Sequence, residues 1–218
     1  MNIEHARFNM VEQQIRPWDV LDQSVLDLLF KVRREDFVPA AYRALAFVDM
    51  EIPLGHGQRM WTPKLEARVL QELAIRPTDR VLEIGTGSGY FAALLAAQAA
   101  EVASVEIVPE LAEAARQKLR AHGIHNVETH IGDAARDWFD PSGFDVIVLT
   151  GSTPLLSEAW RERLREGGRL FAIVGEAPVM QAQLVTRAAA GAAARSVTLF
   201  ETCVDPLVNA PQPAAFVF

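Results

Sequence analysis

Three glycines at alternate positions, Gly85, Gly87 and Gly89, separate the apolar run "RVLEI" from the apolar run "YFAALLAAQA". Glycines at that spacing let a backbone turn sharply and let a ligand lie against it. Glu106 closes the next apolar run, roughly 20 residues on, where a carboxylate can take the two hydroxyls of a ribose. A nucleoside ligand accounts for both features. A dinucleotide site of the pattern G-x-G-x-x-G/A would place its third small residue at position 90, which here is Tyr90. Glu83 stands two residues before the first glycine, where its charge would repel a pyrophosphate and favour a cationic ligand. Both residues argue against a nicotinamide-dependent oxidoreductase. "GDA" (132–134) follows a third apolar run.

A second stretch, "GQRMWTPK" (57–64), joins a glycine, an amide, a cation, an indole, a hydroxyl and a proline. Pro63 lacks an amide donor and restricts Thr62 before it, so an ordered loop is expected. His56 precedes it and reads as structural. His122, His125 and His130 have no cysteine or carboxylate partners at metal-binding spacing and read as surface residues, so no metal site is expected. Cys203 has no base near it in sequence and reads as inert.

The elements that must position these residues follow from periodicity. Asp22–Phe30 puts Val25, Leu28 and Leu29 on one face, a helix with Asp22 or Ser24 as its cap. Residues 61–76 predict another helix, with Pro63 near its start. From Arg80 the pattern alternates. "RVLEIG", "VASVEI", "VETHIGD", "FDVIVLTG" and "RLFAIVG" read as strands. "YFAALLAAQA", "PELAEAARQKLRAHG" and "LSEAWRERLREGG" read as helices, the last closed by its glycines. Such alternation means βαβ units and a parallel sheet. "QAQLVTRAAAGAAARSVTLFETCV" predicts two strands joined by a small-residue turn at 188–194, an antiparallel edge that brings the sheet to seven strands. The chain is expected to be one compact unit, with a helical cap and loop at 1–76 and the ligand-binding domain at 77–218.

The bounds agree. The 218 residues suit one α/β domain, half of them are apolar, and the net charge of −7 gives no basic surface for nucleic acid. A single cysteine fits a reducing compartment. The N-terminus has no apolar core of signal-peptide length, and no run is long enough to span a bilayer. A cytoplasmic protein is expected.

Glu83, the G-x-G-x-G loop and the ribose-binding acid resemble the motif of class I S-adenosylmethionine-dependent methyltransferases. "MVEQQIRP" (10–17), "REDFVPAAYRALAFVDMEIPLGHGQ" (34–58), "VLEIGTGSGYFAALLA" (81–96) and "GGRLFAIVG" (167–175) are similar to the protein-L-isoaspartate O-methyltransferase family. The resemblance implies a Rossmann-like, doubly wound, mostly parallel sheet with an antiparallel edge and an N-terminal helical cap. It implies methyl transfer to the carboxylate of isoaspartyl residues in damaged proteins. It also implies that S-adenosylmethionine is held by Gln58, Glu83, Gly85, Thr86, Gly87, Ser88, Gly89, Tyr90, Glu106, Ile107, Asp133 and Ala134, with no metal. Substrate-side residues would come from Gln58–Thr62, Thr150–Thr153 and Val204–Leu207.

This sequence departs from the family at its substrate loop. The family reads much like G-Q-T-I-S-Q-P, and Trp61 stands where the family's serine would meet the acceptor carboxylate, with Thr62 next. Trp61 and Thr62 are therefore the candidate catalytic residues. An indole is bulkier and only donates, so Trp61→Ser is expected to open room and restore a hydroxyl. Trp61 either packs between cap and sheet or lines the pocket over the cofactor. Transfer from a sulfonium to a carboxylate needs alignment and exclusion of water rather than a general base. Losing one hydroxyl therefore leaves three readings open: an isoaspartyl methyltransferase, the same fold with another acceptor, and a non-catalytic S-adenosylmethionine-binding protein plugged by Trp61.

Overall fold

A computed structural model of the chain describes residues 2–136, 138, 140–188 and 195–213. Helix α1 (Ile3–Asn9) begins at Asn2, whose side chain accepts from the His5 amide. It continues into a π-helical stretch, Met10–Ile15, that buries Met10, Val11 and Ile15. Helix α2 (Gln23–Lys31) begins at Asp22, which accepts from Ser24 N, and Val25, Leu28 and Leu29 face inward as the periodicity predicts. Helix α3 (Arg34–Phe37) is a single turn ended before Pro39.

Residues 52–60 form a hairpin. Strand β1 (Ile52–Gly55) pairs antiparallel with β2 (Gln58–Met60). His56 and Gly57 connect them with φ of 53° and 74°, the positive values of a type I′ turn. The expectation of a loop across 57–64 is thereby corrected. Gln58–Met60 is strand, Trp61 and Thr62 are the connection, and Pro63 opens helix α4 (Pro63–Leu73). A proline excludes a strand only where its missing donor is needed, and here it sits at the first helical position.

The main sheet follows. Its elements are β3 (Arg80–Ile84), α5 (Tyr90–Ala96), β4 (Glu101–Glu106), α6 (Pro109–Ala121), β5 (Val127–Ile131), β6 (Phe144–Thr153), α7 (Glu158–Glu162), β7 (Leu164–Glu176), β8 (Val179–Thr186) and β9 (Arg195–Thr202). The strand order is β5-β4-β3-β6-β7-β8-β9. β5 through β7 in that order pair in parallel, and β8 and β9 are antiparallel. The α/β architecture is the one the alternating pattern predicts. The predicted turn at 188–194 lies outside the described residues apart from Ala188, as do residues 214–218.

One helix is much shorter than its sequence suggests. α7 covers five residues, not the whole of "LSEAWRERLREGG". Trp160 is buried on the helix, but Leu164 leaves the helical path to pair with Phe144 in the sheet. Gly167 and Gly168 then exchange backbone hydrogen bonds with Arg187 instead of closing a helix. Strand pairing outcompeted a marginal helical stretch.

Two apolar layers sandwich the sheet. One joins the N-terminal helices, α4 and α5 to Val81, Val146, Val148 and Phe171. The other holds Leu82, Ile84, Ile147, Leu149, Trp160 and Leu170. The strand order reverses between β3 and β6, the place where such sheets open a crevice at their carboxyl ends. Among the described residues no helix is long and apolar enough to cross a membrane.

Candidate active site

The crevice is a cleft open to solvent, with about 970 Å³ of empty space that includes part of that solvent. Its floor is the glycine loop between β3 and α5. Gly85 has φ of 97°, and a Cβ there would stand 2.2 Å from Thr150 Oγ1. That hydroxyl lies 2.8 Å from Ile84 O and 2.7 Å from Gly85 O, so β6 staples the start of the loop. Gly89 has φ of 82°, and a Cβ there would press on Ala115 of α6 at 3.0 Å. Glu106 is 4 % exposed. Its Oε2 accepts from Gly87 N at 2.8 Å and its Oε1 from Val108 N at 3.0 Å. Each oxygen keeps further acceptor capacity for a diol, and the residue lines the cleft with Gly85, Thr86, Gly87, Ser88 and Ile107.

Glu83, Gly89 and Tyr90 stand behind this lining. Glu83 is fully buried, and its Oε2 accepts from Ser104 Oγ at 2.5 Å. Ser104 Oγ lies 2.5 Å from Thr86 Oγ1, and Glu83 Oε1 has no partner among the described residues. Burial pushes the Glu83 carboxyl up to about 8, with the Glu106 charge adding to the rise and the Ser104 hydroxyl opposing it. Glu83 therefore stands behind the lining as a support beneath Thr86, where burial disfavours its charge. Tyr90 turns away from the cleft, its ring 5.7 Å from Phe37 and 5.1 Å from the Arg34 guanidinium.

Asp133 and Ala134 line the far end of the cleft. Asp133 Oδ1 accepts from Ala135 N at 3.0 Å and Oδ2 from Asn209 Nδ2 at 2.7 Å. The C-terminal segment thus closes over this end, through a residue that belongs to no motif.

The opposite wall comes from β2 and the connection after it. Gln58, Arg59, Met60 and Trp61 line the cleft. Trp61 is 6 % exposed, with its ring 5.6 Å from Phe91 and 6.4 Å from Phe171. Packing and lining are therefore not rival roles, because this indole has both. Thr62 does not line the cleft. Its hydroxyl caps α4 by accepting from Leu65 N at 3.4 Å. The Trp61 carbonyl accepts from Arg34 Nη2 at 2.6 Å, and Arg34 Nε donates to Ala46 O at 2.9 Å. Arg34 also pairs with Glu66, a second buried carboxylate at the cleft wall. Burial brings Arg34 down to about 10, which leaves it a cation at neutral pH. Neither Arg34 nor Glu66 stands out in the sequence, since each is one charge among many on a helical pattern.

Thr150 and Gly151 line the cleft, whereas Ser152 and Thr153 are buried and bond to Val204 O and Leu155 O. Val204, Asp205, Pro206 and Leu207 complete the rim. His56, His122 and His125 are exposed, as is Cys203. No group of three His, Cys, Asp or Glu among the described residues could hold a metal ion.

The chain is similar to known proteins in sequence and in fold. A protein-L-isoaspartate O-methyltransferase of Methanoculleus marisnigri is 39% identical over 203 residues, 93% of this chain and 91% of that protein. One from Gloeobacter violaceus is 42% identical over 166 residues, covering 76% and 81% of the two chains. Among solved structures, a Plasmodium falciparum protein described as a beta-aspartate methyltransferase, in complex with S-adenosyl-L-homocysteine, superposes with a TM-score of 0.78. It is 18% identical and covers 95% of this chain and 99% of that one, so it bears on the fold alone. The sequence profile of the Protein-L-isoaspartate(D-aspartate) O-methyltransferase family matches residues 6–207, a span that takes in the hairpin, the glycine loop and the rim. The chain belongs to that family.

Proposed function

We infer that the protein methylates the free carboxylate of L-isoaspartyl residues in proteins, with S-adenosylmethionine as methyl donor. The observation that carries this reading is the family match across residues 6–207. The cleft suits the donor. Gly85 makes the positive-φ turn that lets the loop pass close against Thr150, and Glu106 is fixed with spare acceptor capacity for a ribose. When bound, S-adenosylmethionine supplies an electrophilic methyl group on a sulfonium.

Glu106 would hold the ribose hydroxyls, and Asp133 with the Ala134 backbone the base. Gly85, Thr86, Gly87 and Ser88 would lie along the amino-acid portion, with Gln58 and Ile107 beside it. Trp61, Met60 and Phe91 exclude water from the acceptor side, which strengthens every charge interaction there. The acceptor carboxylate arrives ionised, so alignment is what the protein must provide. Residues 1–76 serve as the cap that carries the acceptor wall, and 77–218 as the donor-binding unit. The single exposed thiol, Cys203, suits a reducing cytoplasm.

A methyl-transfer assay with an isoaspartyl peptide, run beside its normal aspartyl counterpart, tests the reading. Turnover of the isoaspartyl peptide alone is expected. Binding of S-adenosylhomocysteine without turnover of either peptide would refute the acceptor assignment.

A further inference from the structure

Three charged side chains meet at the mouth of the cleft, and donor binding uses none of them. Arg59 Nη1 lies 3.6 Å from Glu51 Oε2, and Arg59 Nε lies 3.4 Å from Asp205 Oδ2. All three residues line the cleft. Neither pair closes to the roughly 2.7–2.9 Å of a charge-assisted hydrogen bond. The Arg59 side chain is 55% exposed and that of Asp205 57%. Glu51 is held above the usual carboxylate range, first by partial burial and then by the nearby Asp205 charge. Two crowded carboxylates thus share one loosely held guanidinium. The contrast with Arg34 is sharp, because Arg34 is buried and has committed its donors to Ala46, Trp61 and Glu66.

Arg59 stands on β2, two residues before Trp61, so its backbone is fixed by the hairpin while its head remains free to change partners. Guanidinium presents a fork of donors that matches a carboxylate, and among the described residues that fork meets only the loose Glu51 and Asp205 contacts. We propose that Arg59 is the acceptor anchor, on which the carboxylate of an isoaspartyl residue displaces Asp205. The proposal rests on the functional reading above and adds the residue that selects the acceptor.

Charge accounting supports the exchange. An isoaspartyl residue continues the chain through its side-chain carboxyl, which leaves its α-carboxylate free and anionic. One oxygen can sit on Arg59 while the other attacks. The new O–C bond forms as the methyl C–S bond breaks, the bonding pair stays on sulfur, and no proton moves. The product is a neutral ester, which no longer competes with Asp205 for Arg59. The same residues therefore favour entry of a charged acceptor and release of an uncharged product. Because Arg59 grips the acceptor before the reaction, its contribution should appear mainly in KM.

The test measures isoaspartyl peptide kinetics at saturating S-adenosylmethionine, beside a peptide-binding titration on protein loaded with S-adenosylhomocysteine. Arg59→Ala should raise KM and the peptide Kd on the order of tenfold, with a smaller change in kcat, and Arg59→Lys should recover part of the loss. Asp205→Asn should act in the opposite direction and lower KM about twofold or more, since it frees the anchor. Wild-type KM should rise with ionic strength and that of Arg59→Ala should not. A merely structural arginine would not give opposite signs in the two variants. Turnover with KM and Kd unchanged in Arg59→Ala would overturn the anchor and leave the functional reading intact. Arg59-dependent peptide binding without turnover would support the anchor and refute that reading. Failure of the wild-type protein to bind the peptide, or loss of S-adenosylhomocysteine affinity in Arg59→Ala, would overturn the anchor.

Discussion

The two halves of the cleft are built by different means. The donor half is made of main chain, a loop held at its start by Thr150 and at its middle by the Glu106 carboxylate. The acceptor half is made of side chains brought together from distant segments. Trp61 rests on Phe91 and Phe171, and Arg34 joins Trp61 to Glu66. A main-chain site tolerates few changes of residue and keeps one ligand. A side-chain site can change its acceptor through a few substitutions without disturbing the donor.

The largest expected effect tests whether the acceptor wall is also core. Sequence alone suggests that Trp61→Ser opens space and restores a hydroxyl. The packing predicts the reverse, because the indole is 6 % exposed and meets the core aromatics Phe91 and Phe171 at a tilt and edge-on. Removing it should cost about 3–5 kcal/mol of stability, as large-to-small core changes do. Chemical denaturation of Trp61→Ser and Trp61→Phe measures this, with Trp61→Phe expected to lose much less. A Trp61→Ser protein as stable as wild type would show that the wall is a separable insert.

Next comes the intolerance of the donor half. Gly85→Ala places a methyl group 2.2 Å from Thr150 Oγ1, at a φ of 97° that an L-residue adopts only under strain. Positive-φ strain alone is worth about 1–3 kcal/mol, and the clash adds to it. A loss of S-adenosylhomocysteine affinity of about 100-fold is expected by calorimetry, the equivalent of roughly 2.7 kcal/mol. Adding Thr150→Ala should relieve the clash but not the strain, so recovery should be partial. Full recovery would show that contact, not conformation, forces the glycine.

How far these features can be read from sequence follows the same division. The donor half was legible because its residues are local in sequence: alternating glycines, then an acid at the end of the next strand. The acceptor half was legible only in part, because Glu51, Arg34 and Glu66 acquire their roles only when segments far apart meet, whereas the family resemblance points to Gln58–Trp61 and Val204–Leu207. The sheet and most helices follow from periodicity. The short α7 does not, since Leu164 suits a helical face and a strand equally until Phe144 is beside it. The hairpin was hidden by Pro63, although "GHG" carries the turn residues that a type I′ connection needs. Glu83 sits where the motif puts an acid, but only the fold reveals that it is buried under Thr86 with one oxygen unpartnered among the described residues.

A smaller effect separates the two jobs of Glu106. It organises the loop through Gly87 N and Val108 N, and in the proposed function it also holds the donor's ribose. Glu106→Ala should weaken S-adenosylhomocysteine by about 1–3 kcal/mol, the range for hydrogen bonds to a charged group. Glu106→Gln keeps an acceptor and one side of the loop contact, so its loss should be smaller. Unchanged affinity in both variants, read by calorimetry, would remove Glu106 from the donor site.

The last effect concerns the carboxyl buried beneath the donor half. The Glu83 carboxyl has an ordinary value of 4.5 and is pushed up to about 8 in the fold, chiefly by burial. Below about 4.5 it is protonated in both folded and unfolded chains and makes no difference between them. As pH rises from there towards 8 the unfolded chain gives up this proton while the folded chain keeps it. The folded state then binds more protons than the unfolded state, so stability falls across that window and levels off above it. Glu83→Gln removes the titration and keeps an oxygen for Ser104 Oγ to donate to. The wild-type protein should therefore lose stability relative to Glu83→Gln between pH 5 and pH 8.5 by at least about 1.4 kcal/mol, the worth of a single pKa unit. Denaturation curves for both proteins at the two pH values measure the difference. A difference that does not change with pH would mean that the carboxyl ionises freely in the fold. The donor half would then carry two charges, at Glu83 and Glu106, and the cationic-ligand role read from the sequence would gain support.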